Sequence, residues 1–329
     1  MNLTDFSFLI DSALILLIAL LIDAVFGEVP DRIHPTVWMG KVVAFLKPRI
    51  RSPTPRRGRV GGVLLALFVM VLFAGSAFAI IFLVRQFLGW IAYIIVGAII
   101  LKMTFAVRCM GKYTLPIERA LEAGDLDKAK GFLHYIVRRD PATLDERHVI
   151  SAAVESIAES TTDGITAPFF YFALFGVPGA VAYRVVNTLD SMVGYRDAAN
   201  VNIGWFSAHL DTIANYIPAR VTATIMIFSA LLLGEDWRGS RLIVQRDRHK
   251  MQSVNAGWTI AAMAGAFGTQ LEKPNQYKLG DDHGLNPGHI RRALRMMNLT
   301  AVLFSAVVVL PILLLKGILL SALGLGWLL

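Results

Sequence analysis

Apolar residues in this chain fall into long blocks, not into the short alternations of strands. Val60 to Val84 carries no charge and is longer than the ~20 apolar residues needed to cross a bilayer core. Phe6 to Phe26 reads as another span, with Asp11 and Asp23 near its ends, where a carboxylate can reach the headgroups. Gln86 to Val107 qualifies with Lys102 snorkelling from its end, and Met296 to Leu315 is uncharged. After the last of these, Lys316 and a further apolar run predict either a helix break near Pro311 or a continuing tail. The predicted spans are therefore about 6–26, 60–84, 86–107 and 296–315.

Two segments stay open. Residues 165–183 are uncharged but contain Pro168, Gly176, Pro178 and Gly179, which suits a kinked span or a helix-break-helix hairpin. Residues 215–234 begin with Pro218 and Arg220. Broken helices at membrane depth are tolerated only where protein packs around them or they line a cavity. Between the spans, TLPIERALEAGDLDKAKGFLHYI predicts a helical hairpin. One helix runs from about Pro116 to Ala123, Gly124 takes the left-handed position after it, and Asp125 caps a second helix to about Ile136. That hairpin serves as a lid, a docking surface or a plain scaffold. No strand pattern and no internal repeat stands out. The expected fold is all-α: one polytopic integral membrane domain over 1–329, with a cytoplasmic helical region at about 108–163 and broken or re-entrant helices.

Composition agrees with this pattern. Hydrophobic residues make up 55% and charged residues only 17% of the 329, and the mean hydropathy is +0.57, far from a soluble domain. The stretch KVVAFLKPRIRSPTPRRGRV has seven Lys and Arg and no acid, which assigns it to the cytoplasm by the positive-inside rule. The amino terminus is then outside. The basic stretches at 238–250 and 291–295 should also be cytoplasmic, so the two open segments either both span or both do not. The net charge of +8 follows from this bias. No basic stripe interleaved with aromatics calls for a nucleic acid. The single cysteine, Cys109, excludes an internal disulfide. The first apolar stretch lacks a basic n-region and a cleavage site, so it reads as a retained anchor.

The chemistry concentrates between Glu155 and Asn255. On a helix, Glu155, Glu159 and Asp163 share one face, and like charges at that spacing cost about 0.2–0.5 kcal/mol per pair. A Mg²⁺ ion would offset this; an exposed acidic face without a ligand is the alternative. Asn187, Asp190 and Gly194 share another face, with Ser191 alongside and Arg184 one turn earlier. Arg184–Asp190 pairing that only joins helices is the alternative there. Asp211 and Asn215 lead into Pro218 and Arg220. Finally, Arg241, Arg246, Arg248, His249 and Lys250 precede SVNAGW and a small-residue helix, where cations beside Ser253, Asn255 and the Gly257 backbone suit phosphate oxygens. A basic membrane flank explains those charges too, but not SVNAGW. A P-loop is absent. His34 and Asp281, Asp282 and His283 are weaker candidates.

These residues carry a resemblance. DRIHPTVWMGK, VRRDPATLDE, AAVESIAESTTDGITAPFFY, AYRVVNTLDSMVGYRD, SAHLDTIANYIPAR and SVNAGW with AAMAGAFG follow, in order, the motifs of the adenosylcobinamide-phosphate synthase (cobinamide synthase) family of cobalamin biosynthesis. It covers about Asp23 to Tyr277. The resemblance implies a cell-membrane enzyme that joins adenosylcobyric acid to aminopropanol or its O-phosphate with ATP and Mg²⁺, its site facing the cytoplasm. It implies a corrinoid substrate, contact with membrane lipid, and either a homo-oligomer or contact with other membrane cobalamin-assembly enzymes. The expected metal face is Glu155, Glu159 and Asp163. The expected catalytic set is Asp190, Asp211, Arg184 and Asn187. Arg220, Asn215, Ser191, Arg246, His249, Ser253, Asn255 and His34 are expected to bind substrate or phosphate. The chain departs from the family at Ser160 (commonly Asn), Val254 (Pro), Ile260 (Glu), and at Glu272 and Lys273, where the family is glycine-rich. Two other classes stand beside this reading. One is a membrane sensor or regulator without ligase activity, like the related signalling protein linked to β-lactamase induction. The other is a transporter, suggested by the broken helices.

Overall fold

The computed structural model describes residues 3–50, 54–137, 139–195 and 197–323, with side chains from Phe8 onward. In chain order the helices are α1 (Leu3–Phe26), α2 (Pro35–Ile50), α3 (Pro55–Met70), α4 (Ser76–Lys102), α5 (Val107–Glu122), α6 (Leu126–Leu133) and α7 (Glu146–Thr161). There follow α8 (Ala167–Val193), α9 (Trp205–Ala214), α10 (Tyr216–Leu232), α11 (Trp237–Asp247), α12 (Ala256–Phe267), α13 (Gly288–Phe304) and α14 (Leu310–Ala322). The protein is all-α and polytopic, apart from a small hairpin of β1 (Leu271–Lys273) and β2 (Tyr277–Leu279), paired antiparallel with Glu272 opposite Lys278.

Four helical stretches are long and apolar enough to cross a membrane: Phe8–Phe26, Pro55–Glu122, Glu146–Val193 and Gly288–Ala322. A fifth arises if Trp205–Ala214 and Tyr216–Leu232 count together. Their surroundings differ. Only 17% of the apolar window within Pro55–Glu122 is buried, against 61% in Glu146–Val193, so the former presents a lipid-facing surface. Phe87, Leu88, Trp90 and Ile91 are among its exposed side chains.

The expected division between spans 60–84 and 86–107 falls instead at Gly89. There α4 is broken at φ 81°, ψ −177°, a conformation essentially confined to glycine. The open segment 165–183 is also interrupted at a glycine. α8 is broken at Gly176 (φ 69°, ψ −164°), and the Tyr171 and Tyr183 rings stack at 5.2 Å. Twelve residues of straight helix would hold them about 18 Å apart. The chain therefore folds back: 165–183 contains a helix-break-helix hairpin. Gly179 permits it, because a Cβ there would lie 2.6 Å from the Tyr171 carbonyl oxygen. Beyond Phe304 the chain stays helical past Pro311, after the wide turn Ser305–Val309.

The soluble-looking hairpin is present with shifted ends. Gly124 has φ 74°, and the Asp125 carboxylate accepts from Lys128 N at 3.0 Å. α5 begins at Val107, however, and carries Pro116 in its interior, where a helix start was expected.

The chain divides into two compact units: Met1–Ala106 with Ala167–Ala214 and Ser305–Leu329, and Val107–Thr166 with Asn215–Phe304. Both are discontinuous in sequence. In the first, α8 packs on α2, α4 and α9 around Met39, Val43, Leu65, Val69, Val185 and Leu189. In the second, α7 packs on α12 and α13, and α10 on α11, α12 and α13. Buried hydroxyl pairs join helices of this unit: Thr166 with Thr222 at 2.6 Å and Ser229 with Thr300 at 2.9 Å. Such pairs satisfy polar groups without water.

Candidate functional site

In the second unit α11 and α12 cross where two glycines meet: a Cβ on Gly265 would lie 2.3 Å from the Gly239 carbonyl oxygen. Close approach at this point sets the path of the link between them, a tight turn at Arg248–Lys250 and then Met251 to Asn255. Gly257 lets the turn lie against α12, since its Cβ would sit 2.2 Å from the Arg248 carbonyl oxygen. Ser253 Oγ accepts from the backbone of Ala256 at 3.1 Å, fixing the entry to the helix.

The link, the start of α12 and the first turns of α10 enclose a cleft of about 340 Å³ lined by Tyr216, Arg220, Arg248, His249, Ser253 and Trp258, together with Met251 and Val254. No carboxylate lines it. Arg220 donates to Asn255 Oδ1 at 3.0 Å and lies 3.4 Å over the Tyr216 ring and 5.0 Å over Trp258. Arg248 lies 4.6 Å over the same Trp258 ring and donates to the backbone of Val244 at 3.2 Å. Both guanidiniums are thus held by neutral acceptors and by ring faces. Of the expected phosphate-binding residues, Arg220, His249, Ser253 and Asn255 are brought together here.

Arg246 is not. It forms two bonds to Asp247, at 2.8 and 2.9 Å, and a third contact to Asp281 at 2.9 Å. Lys250 also reaches Asp247 at 2.6 Å, and Gly280 N donates to it at 2.8 Å. Burial alone would raise the Asp247 carboxyl, but these bonds outweigh it and hold it well below the usual carboxylate range. Arg246 is therefore engaged in holding the turn to the β-hairpin. Its expected role as a phosphate ligand gives way to that.

The carboxylate ladder does not assemble as a three-ligand set. Glu155 is buried, Glu159 exposed and Asp163 half-buried. Asp163 lies in the wide turn Thr162–Thr166, where the four-residue spacing of an α-helix no longer applies. Glu155 accepts from Ser151 Oγ at 2.7 Å and from Tyr277 Oη, with Arg139 at 3.7 Å. Among the described residues no group of three or more His, Cys, Asp or Glu is placed to hold a metal ion. The donor set at Glu155 fits a buried hydrogen-bond node better than a Mg²⁺ site. Burial and the adjacent Glu155 carboxylate raise the Tyr277 phenol, so it stays protonated and donates. Beside it, buried Glu272 meets His148 at 3.2 Å, Lys278 at 2.8 Å and Arg147 at 3.6 Å. The two residues at the family's glycine-rich end thus form the strand that anchors the hairpin to α7.

The first unit holds the other expected residues. Arg184 donates to Asn187 Oδ1 at 3.2 Å, and its Nε is buried without a hydrogen bond. Ser191 Oγ donates to the Thr188 carbonyl at 2.8 Å. Asp190 turns back along the helix, so that a Cβ on Gly194 would lie 2.0 Å from Asp190 Oδ1. Asp211 is half-buried on α9. Asn215, in the second unit, is buried ahead of α10. His34 meets Glu28 at 2.9 Å, and its Nδ1 accepts from Thr36 N at 3.2 Å. Glu28 in turn meets Lys102 at 2.8 Å, which also meets Asp23 at 3.1 Å. Lys102 does not snorkel: its side chain is 1% exposed. Asp23 likewise pairs inward instead of reaching headgroups. Burial raises the Glu28 carboxyl, and the bonds from His34 and Lys102 more than reverse this.

A profile of the CobD/Cbib protein family matches residues 16–297. The chain belongs to this family. It is 41% identical over 292 residues to a protein named probable cobalamin biosynthesis protein CobD from Methanothermobacter thermautotrophicus, covering 88% of this chain and 95% of the relative. A Thermoplasma volcanium protein of the same name is 40% identical over 306 residues, covering 92% and 98%. A cobalamin biosynthesis protein CobD from Dehalococcoides mccartyi is 41% identical over 286 residues, covering 87% and 92%. No solved structure matches the chain. Every candidate residue lies within the family match. Tyr216 and Trp258, which complete the cleft, and Tyr277, which meets Glu155, were absent from the expected set, whereas Arg248 stood among the cations noted before SVNAGW. Tyr216 and Trp258 lie far apart in the sequence, and their ring–guanidinium contacts arise only on folding.

Proposed function

We propose that the protein is an ATP-dependent ligase of cobalamin biosynthesis, joining the carboxylate of adenosylcobyric acid to the amine of aminopropanol or its O-phosphate. The observation that carries this is a cleft lined by cations and free of carboxylates, built from motif residues in a chain whose relatives are named for cobalamin biosynthesis. Such a cleft suits a phosphoryl group. Amide formation from a carboxylate and an amine requires a better leaving group than hydroxide. Transfer of the ATP γ-phosphoryl group to a carboxylate oxygen releases ADP and gives an acyl phosphate. The amine then attacks the acyl carbon, phosphate departs, and a carboxylate such as Asp190 or Asp211 takes the ammonium proton. Arg184 and Asn187, which share one helix, bind the reacting groups in this reading. Mg²⁺ would enter with the ATP and offset the charge of its phosphates. The location proposed is the cell membrane, with the site open to the cytoplasm.

The test is ADP release by the purified protein in nanodiscs. Release should require both corrinoid and amine and should be matched by amide product. Absence of corrinoid-dependent turnover with all components present would favour the sensor reading.

A further inference from the structure

Resting on the ligase reading, we propose that the cleft of Tyr216, Arg220, Arg248, His249, Ser253 and Trp258 binds the phosphate of a small phosphomonoester, the phosphorylated amino alcohol, and that the nucleotide binds elsewhere. Arg220 and Arg248 both sit within 5.0 Å of the Trp258 ring centroid. In the same unit Arg246, Arg291 and Arg292 are each matched by a carboxylate, Asp247, Glu118 and Glu235 respectively. The two cleft guanidiniums are not matched in this way, and the buried Nε of Arg248 has no hydrogen bond. Two like charges over one ring repel each other, and a dianion between them removes that cost. The Ser253 hydroxyl accepts from Ala256 N, which leaves its own proton to donate. The N-terminal amides of α12 add partial positive charge.

Size and ring use select the class of phosphate. At about 340 Å³ the cleft lies at the low end of small-molecule pockets. A corrinoid is too large for it. The ring faces of Tyr216 and Trp258 carry guanidiniums and so are not open for a nucleobase to stack on. The rings hold the cations in place for a compact anion.

Calorimetric titration of the protein in neutral-lipid nanodiscs, without corrinoid, tests the assignment. Aminopropanol O-phosphate should bind and unphosphorylated aminopropanol should not. Arg220→Ala and Arg248→Ala should each weaken the phosphorylated ligand at least tenfold, while a non-hydrolysable ATP analogue changes less than twofold. Circular dichroism checks the fold; if either variant unfolds, Arg→Gln at that position replaces it. No binding by the wild type, equal binding by wild type and variants, or a parallel loss of nucleotide affinity overturns the proposal. Phosphatidic acid in the nanodisc, whose headgroup is also a phosphomonoester, should not compete; competition would assign the cleft to lipid instead. If the binding pattern holds but no amide forms, the site stands and the ligase reading falls.

Discussion

Asp247 concentrates more of the local electrostatics than any residue of the expected site. Its side chain is fully buried, yet it receives bonds from Arg246, Lys250 and Gly280 N. Those bonds lower its carboxyl in the folded protein. A depressed folded value contributes stability above the unfolded value of about 3.9, and that stability is lost as the pH falls below it. Thermal unfolding followed across pH should therefore show the wild-type midpoint dropping below about pH 4. Asp247→Asn should cost about 1–3 kcal/mol at neutral pH and show a shallower acid slope. Equal slopes would remove Asp247 from the acid response. The residue was not singled out in the sequence because a lone Asp in QRDRHK reads as one charge in a basic flank. Arg246 and Lys250 are its neighbours in that segment, but Gly280 N reaches it only when the β-hairpin returns to the end of α11.

At the scale of elements, glycine positions decide how helices approach. A methyl group on Gly265 would collide with the Gly239 carbonyl at 2.3 Å, and rigid backbone cannot yield as a side chain tip can. Gly265→Ala should destabilise by about 1–3 kcal/mol and, by parting α11 from α12, widen the cleft. Gly131 on α6 has nothing within 4 Å of its virtual Cβ. Gly131→Ala should be neutral or stabilising by up to about 1 kcal/mol. Melting temperatures of the two variants, measured side by side, check the contrast; similar losses would contradict the packing argument. AAMAGAFG was visible in the sequence only as a motif and a small-residue helix. That the partner is Gly239, 26 positions earlier in the chain, was not. The α8 hairpin was half-legible: Gly176, Pro178 and Gly179 announced a break. The choice between kink and reversal rests on Tyr171 meeting Tyr183.

For the whole molecule, the lipid-facing character of Pro55–Glu122 and the basic loops lead to one expectation about sidedness. In a chain with Cys109→Ser, the exposed positions Thr54 and Gln252, changed singly to cysteine, should be labelled by a membrane-impermeant thiol reagent only from the cytoplasmic side. External labelling of either position would overturn the positive-inside assignment. The sequence by itself determined the all-α membrane class and the family and marked the α5–α6 hairpin, because each depends on composition or on local order within a few turns. Tertiary structure alone decided which charges are available. Arg220 and Arg248 converge on Trp258, whereas Arg246 is taken by Asp247 and Asp281, and Glu155 by Tyr277 and Ser151. All are plausible ligands in a linear reading. What separates them is whether other protein groups already engage the side chain, and a buried charge takes whichever partner the fold brings within reach.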